Sequence, residues 1–305
     1  MSAAKKTPAR GTSGRPAGLF TWLAVGLVVV VVAVLVIIKV AGSNSSSGGT
    51  GSFQAADPTV VAEVTKIPAT IFNTVGVKSP VAQVTAPQAL IGQPELTAKS
   101  STGATVPEVF YLGAEYCPFC AAQRWSTIIA LSRFGTWSGL GNMQSSTLVG
   151  EAYPGTPTFT FVKAKYSSTY LAFASIEQLT NVFSQSLNNY TPLQTPTKAQ
   201  QALVTKYDTS KYVKGIAPNS NPIPFMTFAN KFLVSGASFT PATLAGLTRG
   251  AIASGLSDPT SPVTDAIIAS ANYQTAALCS ITKNQPGPVC TSSGVTAAKK
   301  AMGIK

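Results

Sequence analysis

Two thiols held two residues apart are the part of this chain best suited to chemistry. Cys117 and Cys120 sit in the run Glu108-Val-Phe-Tyr-Leu-Gly-Ala-Glu-Tyr-Cys-Pro-Phe-Cys-Ala-Ala-Gln-Arg-Trp125. Cysteines at this spacing close a strained, reducible ring, so the pair can take up and release two electrons as a disulfide. A thiolate at a helix N-terminus sees the positive end of the macrodipole, and its pKa falls below the free-cysteine value of about 8.5. Cys117 is then the attacking thiol and Cys120 the one that resolves the captured sulfur. Two plainer readings stand beside this one: a static disulfide, and half of a metal site. A zinc site needs two further ligands, for which the spacing of Cys279 and Cys290 is unsuitable.

The neighbours divide in the same way. Glu115 is a candidate proton shuttle for Cys120 or an exposed solvating carboxylate. Tyr116 and Phe119 are either apolar surface for client contact or ordinary packing. Arg124 and Trp125 read as packing and surface pairing. The chain contains no histidine, which removes Ser-His-Asp and Cys-His catalysis and imidazole metal sites. No cofactor is implied.

The elements that must position these thiols follow from pattern. Residues 108–114 form an apolar strand and residues 117–134 a helix, with Pro118 at an early position where its missing N–H costs little. Trp125, Ile128, Ile129 and Leu131 are its core contacts. Residues 58–66 read as a short helix, 69–83 as short strands, 158–165 and 169–176 as strands separated by a Tyr-Ser-Ser turn, and 197–207 as a helix. Cys279 and Cys290 flank a loop containing Pro-Gly-Pro. In an oxidising compartment they form a structural disulfide pinning a helix over about 262–281; a second redox pair is the alternative.

Location is written at the N-terminus. Residues 1–18 are a basic tail, and residues 19–38 are twenty uncharged, largely apolar residues, long enough to cross a hydrocarbon core of about 30 Å. Four cations precede this span and Lys39 follows it, which places the tail in the cytoplasm and the remainder outside. A cleaved signal peptide is the competing reading. Residues 39–56 contain a Gly/Ser-rich tether, and 57–305 form one extracytoplasmic domain. Net charge is +12, but five cations belong to the tail and membrane flank. The others are dispersed, so a nucleic-acid partner is not supported.

A second signal lies at Asn221-Pro-Ile-Pro-Phe-Met-Thr-Phe-Ala-Asn-Lys-Phe-Leu-Val-Ser-Gly-Ala-Ser-Phe-Thr-Pro-Ala-Thr-Leu244. It reads as a proline-entered strand, an Asn-Lys turn, a second strand, and a helix capped by Thr240. With the strand leading into Cys-x-x-Cys, this resembles the thioredoxin-like superfamily, an α/β fold. About a hundred residues separate Cys120 from Pro224, so an insertion over about 135–221 is expected. The stretch 113–125 also resembles an uncharacterised family of exported or membrane-anchored thioredoxin-like proteins of actinobacteria and some archaea, catalogued as a domain of unknown function.

The resemblance implies a cis bond before Pro224 and a client groove formed by Ile223 and Pro224 with Tyr116 and Phe119. It implies a membrane-anchored thiol-disulfide oxidoreductase acting on exported cysteine-containing proteins and served by a membrane redox partner, quinone-linked or reductant-supplying. The direction of electron flow stays open. A redox-inactive binding or scaffold module and a metal carrier are the alternatives.

Overall fold

The computed structural model describes residues 53–304 apart from 80–82 and 219. The basic tail, the apolar span 19–38 and most of the tether lie outside the described residues. Among the described residues no helix is long and apolar enough to cross a membrane.

The chain is mixed α/β. Strand β1 (Gln54–Ala55) precedes helix α1 (Pro58–Thr65), whose cap Asp57 accepts from the N–H groups of Thr59 and Val60. The stretch expected as strands opens instead as helix α2 (Ala69–Val75). Its β-branched residues favour extended backbone when considered singly. Here Ile71, Phe72 and Val75 share one buried face, and Gly76, at φ +58°, ends the helix.

Strands β2 (Gln88–Ala89) and β3 (Thr97–Lys99) lead to β4 (Thr105–Gly113). Val109 to Leu112 are buried on both faces of β4, as a central strand requires. Helix α3 (Pro118–Ser132) follows, then β5 (Thr136–Ser138), β6 (Gly141–Gln144), β7 (Pro157–Thr160), β8 (Lys165–Ser167) and β9 (Ala172–Glu177). The Tyr-Ser-Ser segment expected as a turn is partly strand: Tyr166 in β8 pairs with Trp137 in β5. After hairpin β10 (Leu179–Ser184) and β11 (Asn189–Pro192) comes helix α4 (Lys198–Tyr207), opened by a capping box between Thr197 and Gln200.

Strands β12 (Phe225–Phe228) and β13 (Phe232–Ser235) form a hairpin through Ala229 and Asn230, both at positive φ. The helix expected after Thr240 is a single 3₁₀ turn, Pro241–Leu244. Helices α5 (Arg249–Gly255), α6 (Pro262–Ile281), α7 (Gly287–Cys290) and α8 (Ser293–Met302) close the described chain.

The central sheet runs β13, β12, β4 with antiparallel neighbours, and β9 lies parallel to β4 with Glu108 opposite Ala172 and Gly113 opposite Glu177. The stretch 135–221 is therefore not wholly an insertion, because β9 within it belongs to the sheet. Helix α3 packs against α6 and is buried along nearly its whole length. Trp125 anchors it, edge-on to Phe159 and donating to the Pro157 carbonyl at 2.9 Å. Between the two helices Gln274 bonds both Ser126 and Thr127. Cys279 is bonded to Cys290, S–S 1.99 Å. Closing a loop of this size stabilises by about 3 kcal/mol in the chain-entropy model.

Candidate active site

The site grows from the junction of β4 and α3. Cys117 is the N-cap of α3, with φ −77° and ψ 120°, and Pro118 takes the first helical position. Its Sγ accepts from the Cys120 N–H at 3.2 Å, an orphan donor of the first turn. The Cys117 N–H donates to the Ala114 carbonyl at 3.3 Å, and its thiol to the Ile223 carbonyl at 3.7 Å. Both thiols are free. Cys120 is fully buried and Cys117 is 4% exposed, enclosed with Ala114 by Tyr116, Leu179 and Ile223.

The two sulfurs have opposite acidities. Hydrogen bonding from the Cys120 side chain, then the Cys120 N–H and the Arg124 charge, lowers the Cys117 pKa against an opposing burial effect. Burial pushes the Cys120 thiol well up, and its bond to Cys117 adds to this. A sulfur readily ionised at a helix start and a neighbour held protonated beneath it can form and resolve a mixed disulfide.

Ile223, distant in sequence, packs against this pair, and its peptide bond to Pro224 is cis. Tyr116 is half-buried; Phe119 is 41% exposed, with its ring edge-on to Tyr153. Glu115 departs from one expectation: it is buried, not a solvated surface carboxylate, and accepts from Thr160 Oγ1 at 2.7 Å. Burial raises its pKa, while the Thr160 bond opposes that rise. Cys279 and Cys290 pack in the main core, apart from the cluster holding Cys117 and Cys120. Among the described residues no group of three or more cysteine and carboxylate side chains is placed to hold a metal ion.

Beneath the thiols lies a charged pair that the sequence reading did not identify. Arg124 is fully buried, correcting its reading as a surface-pairing residue, and meets Glu177 through two bonds, Nε to Oε1 at 2.8 Å and Nη2 to Oε2 at 2.6 Å. Nη2 also donates to the Ala114 carbonyl at 2.8 Å, the same oxygen that receives the Cys117 N–H. Arg124 Nη1 and Tyr111 Oη are buried without a partner. One signal was readable: residues 117, 120 and 124 fall at i, i+3 and i+7, one face of a helix. Glu177 carried none, since its partner lies 53 residues away.

The rim is aromatic. Tyr116 stacks on Tyr190 with ring centroids 4.2 Å apart, and the Tyr190 hydroxyl bonds Ser146 at 2.7 Å and also Glu151. This ties hairpin β10–β11 to the loop 145–156, which carries the exposed Leu148 and Val149.

Fold and site together define a mixed α/β protein with a Cys-x-x-Cys pair at the start of a buried helix. The chain belongs to the family described as domain of unknown function (DUF929), whose model matches residues 96–280 and so spans both thiols, Arg124, Glu177 and Pro224. No curated protein and no solved structure matches the chain.

Proposed function

We propose that this protein is a membrane-anchored, extracytoplasmic thiol-disulfide exchange protein of the thioredoxin-like kind, working through Cys117 and Cys120. The observation that carries the reading is the placement of Cys117 Sγ on the Cys120 N–H, above a sulfur that is wholly buried. The sheet supports it. A strand leading into the Cys-x-x-Cys helix, with hairpin β12–β13 entered through the cis Ile223–Pro224 bond, is the arrangement that the sequence resemblance implies, and β9 adds a strand parallel to β4 beside it. The apolar span 19–38 supplies the anchor and the outward orientation.

In an exchange, a thiolate attacks a disulfide sulfur, the S–S bond breaks, and one sulfur leaves with the electron pair. When the pair is reduced, Cys117 is the attacker and Cys120 the resolver. When it is oxidised, a client thiolate attacks Cys117 and Cys120 departs. Clients are exported cysteine-containing proteins, seated against Ile223 with Tyr116 and Phe119 at the mouth, and a membrane redox partner, quinone-linked or reductant-supplying, resets the pair. A redox-inactive binding module is the second reading, favoured by the 4% exposure of Cys117.

Turnover of insulin disulfides and of a dithiol peptide by the full chain separates the two. Exchange that falls at least about a hundredfold in Cys117→Ser is expected; equal rates for wild type and variant, or no exchange by either, would reject the catalytic reading.

A further inference from the structure

The buried charge under the thiols is out of place for a merely packed helix. On the buried helix α3, Arg124 holds a guanidinium against the carboxylate of Glu177 on β9, both 0% exposed. Desolvating two charges costs several kcal/mol per ion, and an apolar pair of similar volume is often at least as stable. Packing alone does not account for this choice of residues.

Geometry ties the pair to the sulfurs. Helical side chains lean toward the N-terminus, so Arg124 reaches back along α3 toward the cap. It arrives at the Ala114 carbonyl, one acceptor shared with the Cys117 N–H. Glu177 holds it there from β9, at the register of Gly113. The Arg124 charge favours ionisation of both sulfurs, whereas Glu177 opposes it at Cys120. The positive end of the pair therefore dominates at Cys117. Two more buried donors, Arg124 Nη1 and Tyr111 Oη, are unpartnered in the same region, with the guanidinium 5.9 Å from the Tyr111 ring centre. Tyr116 and Glu115 are the other ionisable neighbours; burial raises the pKa of each, so neither places a negative charge against the pair as readily as a solvated group would.

We propose that Arg124, oriented by Glu177, is a positioning charge that favours the dithiol form of Cys117 and Cys120, making the pair an acceptor of electrons from client thiols. This rests on the exchange reading and adds a direction to it. A client thiolate attacks Cys117 Sγ, the Cys117–Cys120 bond breaks, and Cys120 leaves with the electron pair and takes a proton. The client's second thiolate then attacks the client sulfur of the mixed disulfide and Cys117 departs as thiolate. Two electrons pass from the client dithiol to the pair, and a quinone-linked or disulfide-bearing oxidant removes them.

The test is the equilibrium of the full chain with glutathione and its disulfide. The double variant Arg124→Met, Glu177→Met removes both charges at similar volume, and Glu177→Gln leaves the guanidinium without its counter-charge. The double variant is expected to shift the equilibrium at least about tenfold toward its disulfide, which is about 30 mV for two electrons; Glu177→Gln shifts it several-fold the other way. Arg124→Lys, which keeps the charge, stays within about threefold of wild type and retains the pH profile of Cys117 alkylation, whereas the double variant's profile moves to higher pH. Shifts of the same sign in the double variant and Glu177→Gln, a Lys variant as perturbed as the double, or no shift above twofold would each overturn the proposal. If Glu177→Gln does not fold, the Lys variant and the double still decide. Wild-type exchange lost in Cys117→Ser, with an unmoved equilibrium in the charge variants, rejects this inference and leaves the exchange reading standing; no wild-type exchange rejects both.

Discussion

At the scale of single residues, the dipeptide between the cysteines is a place to add charge. The Phe119 N–H faces the Cys117 sulfur, and the Phe119 ring is 41% exposed, so an imidazole fits without disturbing the core. A cation beside a thiolate favours the ionised form. Phe119→His should raise the dithiol fraction in a glutathione equilibrium about tenfold at pH 6, where the imidazole is largely protonated, and less at pH 8. The same measurement at both pH values checks it. The thiols themselves were legible because a cysteine before proline at the end of an apolar strand is a helix-cap pattern. Arg124 was not, since an arginine on a helix is usually at the surface, and only its shared face with Cys117 and Cys120 pointed inward. Glu177 was invisible: a lone acid after Phe173 to Ile176 reads as a strand end, and its pairing depends on a parallel register formed across most of the fold.

At the scale of elements, hairpin β10–β11 lines the approach to the pair. Leu179 packs on the sulfurs, and Tyr190 stacks on Tyr116 while its hydroxyl holds the loop 145–156. Stacked aromatic pairs contribute about 0.5–1.5 kcal/mol beyond burial, so removing this one loosens the rim without unfolding the core. Tyr190→Ala should speed alkylation of Cys117 by a neutral maleimide about fivefold, with little change in the thermal midpoint; an unaltered rate would show that the hairpin does not limit access. Strand β4 and helix α3 were readable from an apolar run and a proline-marked helix start. Helix α2 was not, because Thr70, Ile71 and Val75 favour strand locally, and only packing of Ile71, Phe72 and Val75 against α6 and α8 decides the matter. Pairing of β8 with β5 was similarly hidden, since Tyr166-Ser-Ser carries turn chemistry until Trp137 is brought opposite.

At the scale of the whole molecule, the lack of histidine leaves few groups that titrate near neutrality. Asp208 is one. It sits at the C-terminal end of α4, where a negative charge opposes the helix dipole, and only one of its oxygens is bonded, to Ser235 Oγ at 2.6 Å. Burial lifts its pKa from 3.8 to about 6, against the lowering effect of the Ser235 bond. A carboxyl with a folded value above its unfolded one contributes stability that is complete below the unfolded pKa and is lost as pH rises through the folded pKa. The contribution of Asp208 thus fades between about pH 4 and 6. Relative to wild type, Asp208→Asn should gain about 1–2 kcal/mol on going from pH 4 to pH 7, discounted for partial solvent screening; urea unfolding at both pH values measures it. The α/β class was readable from the strand and helix patterns. The position of β9 was not, because a parallel partner for β4 returns only after a 58-residue excursion through β5 to β8.

The closed mouth over Cys117 has one more consequence. A low-pKa sulfur in open solvent climbs from sulfenic to sulfinic and sulfonic acid when peroxide is present, and the last two steps are not reversed by thiols. A sulfur roofed by tyrosine and leucine, and backed by a second thiol, meets few peroxide molecules and condenses with its neighbour after the first oxidation. The same roof thus protects the atom from irreversible oxidation.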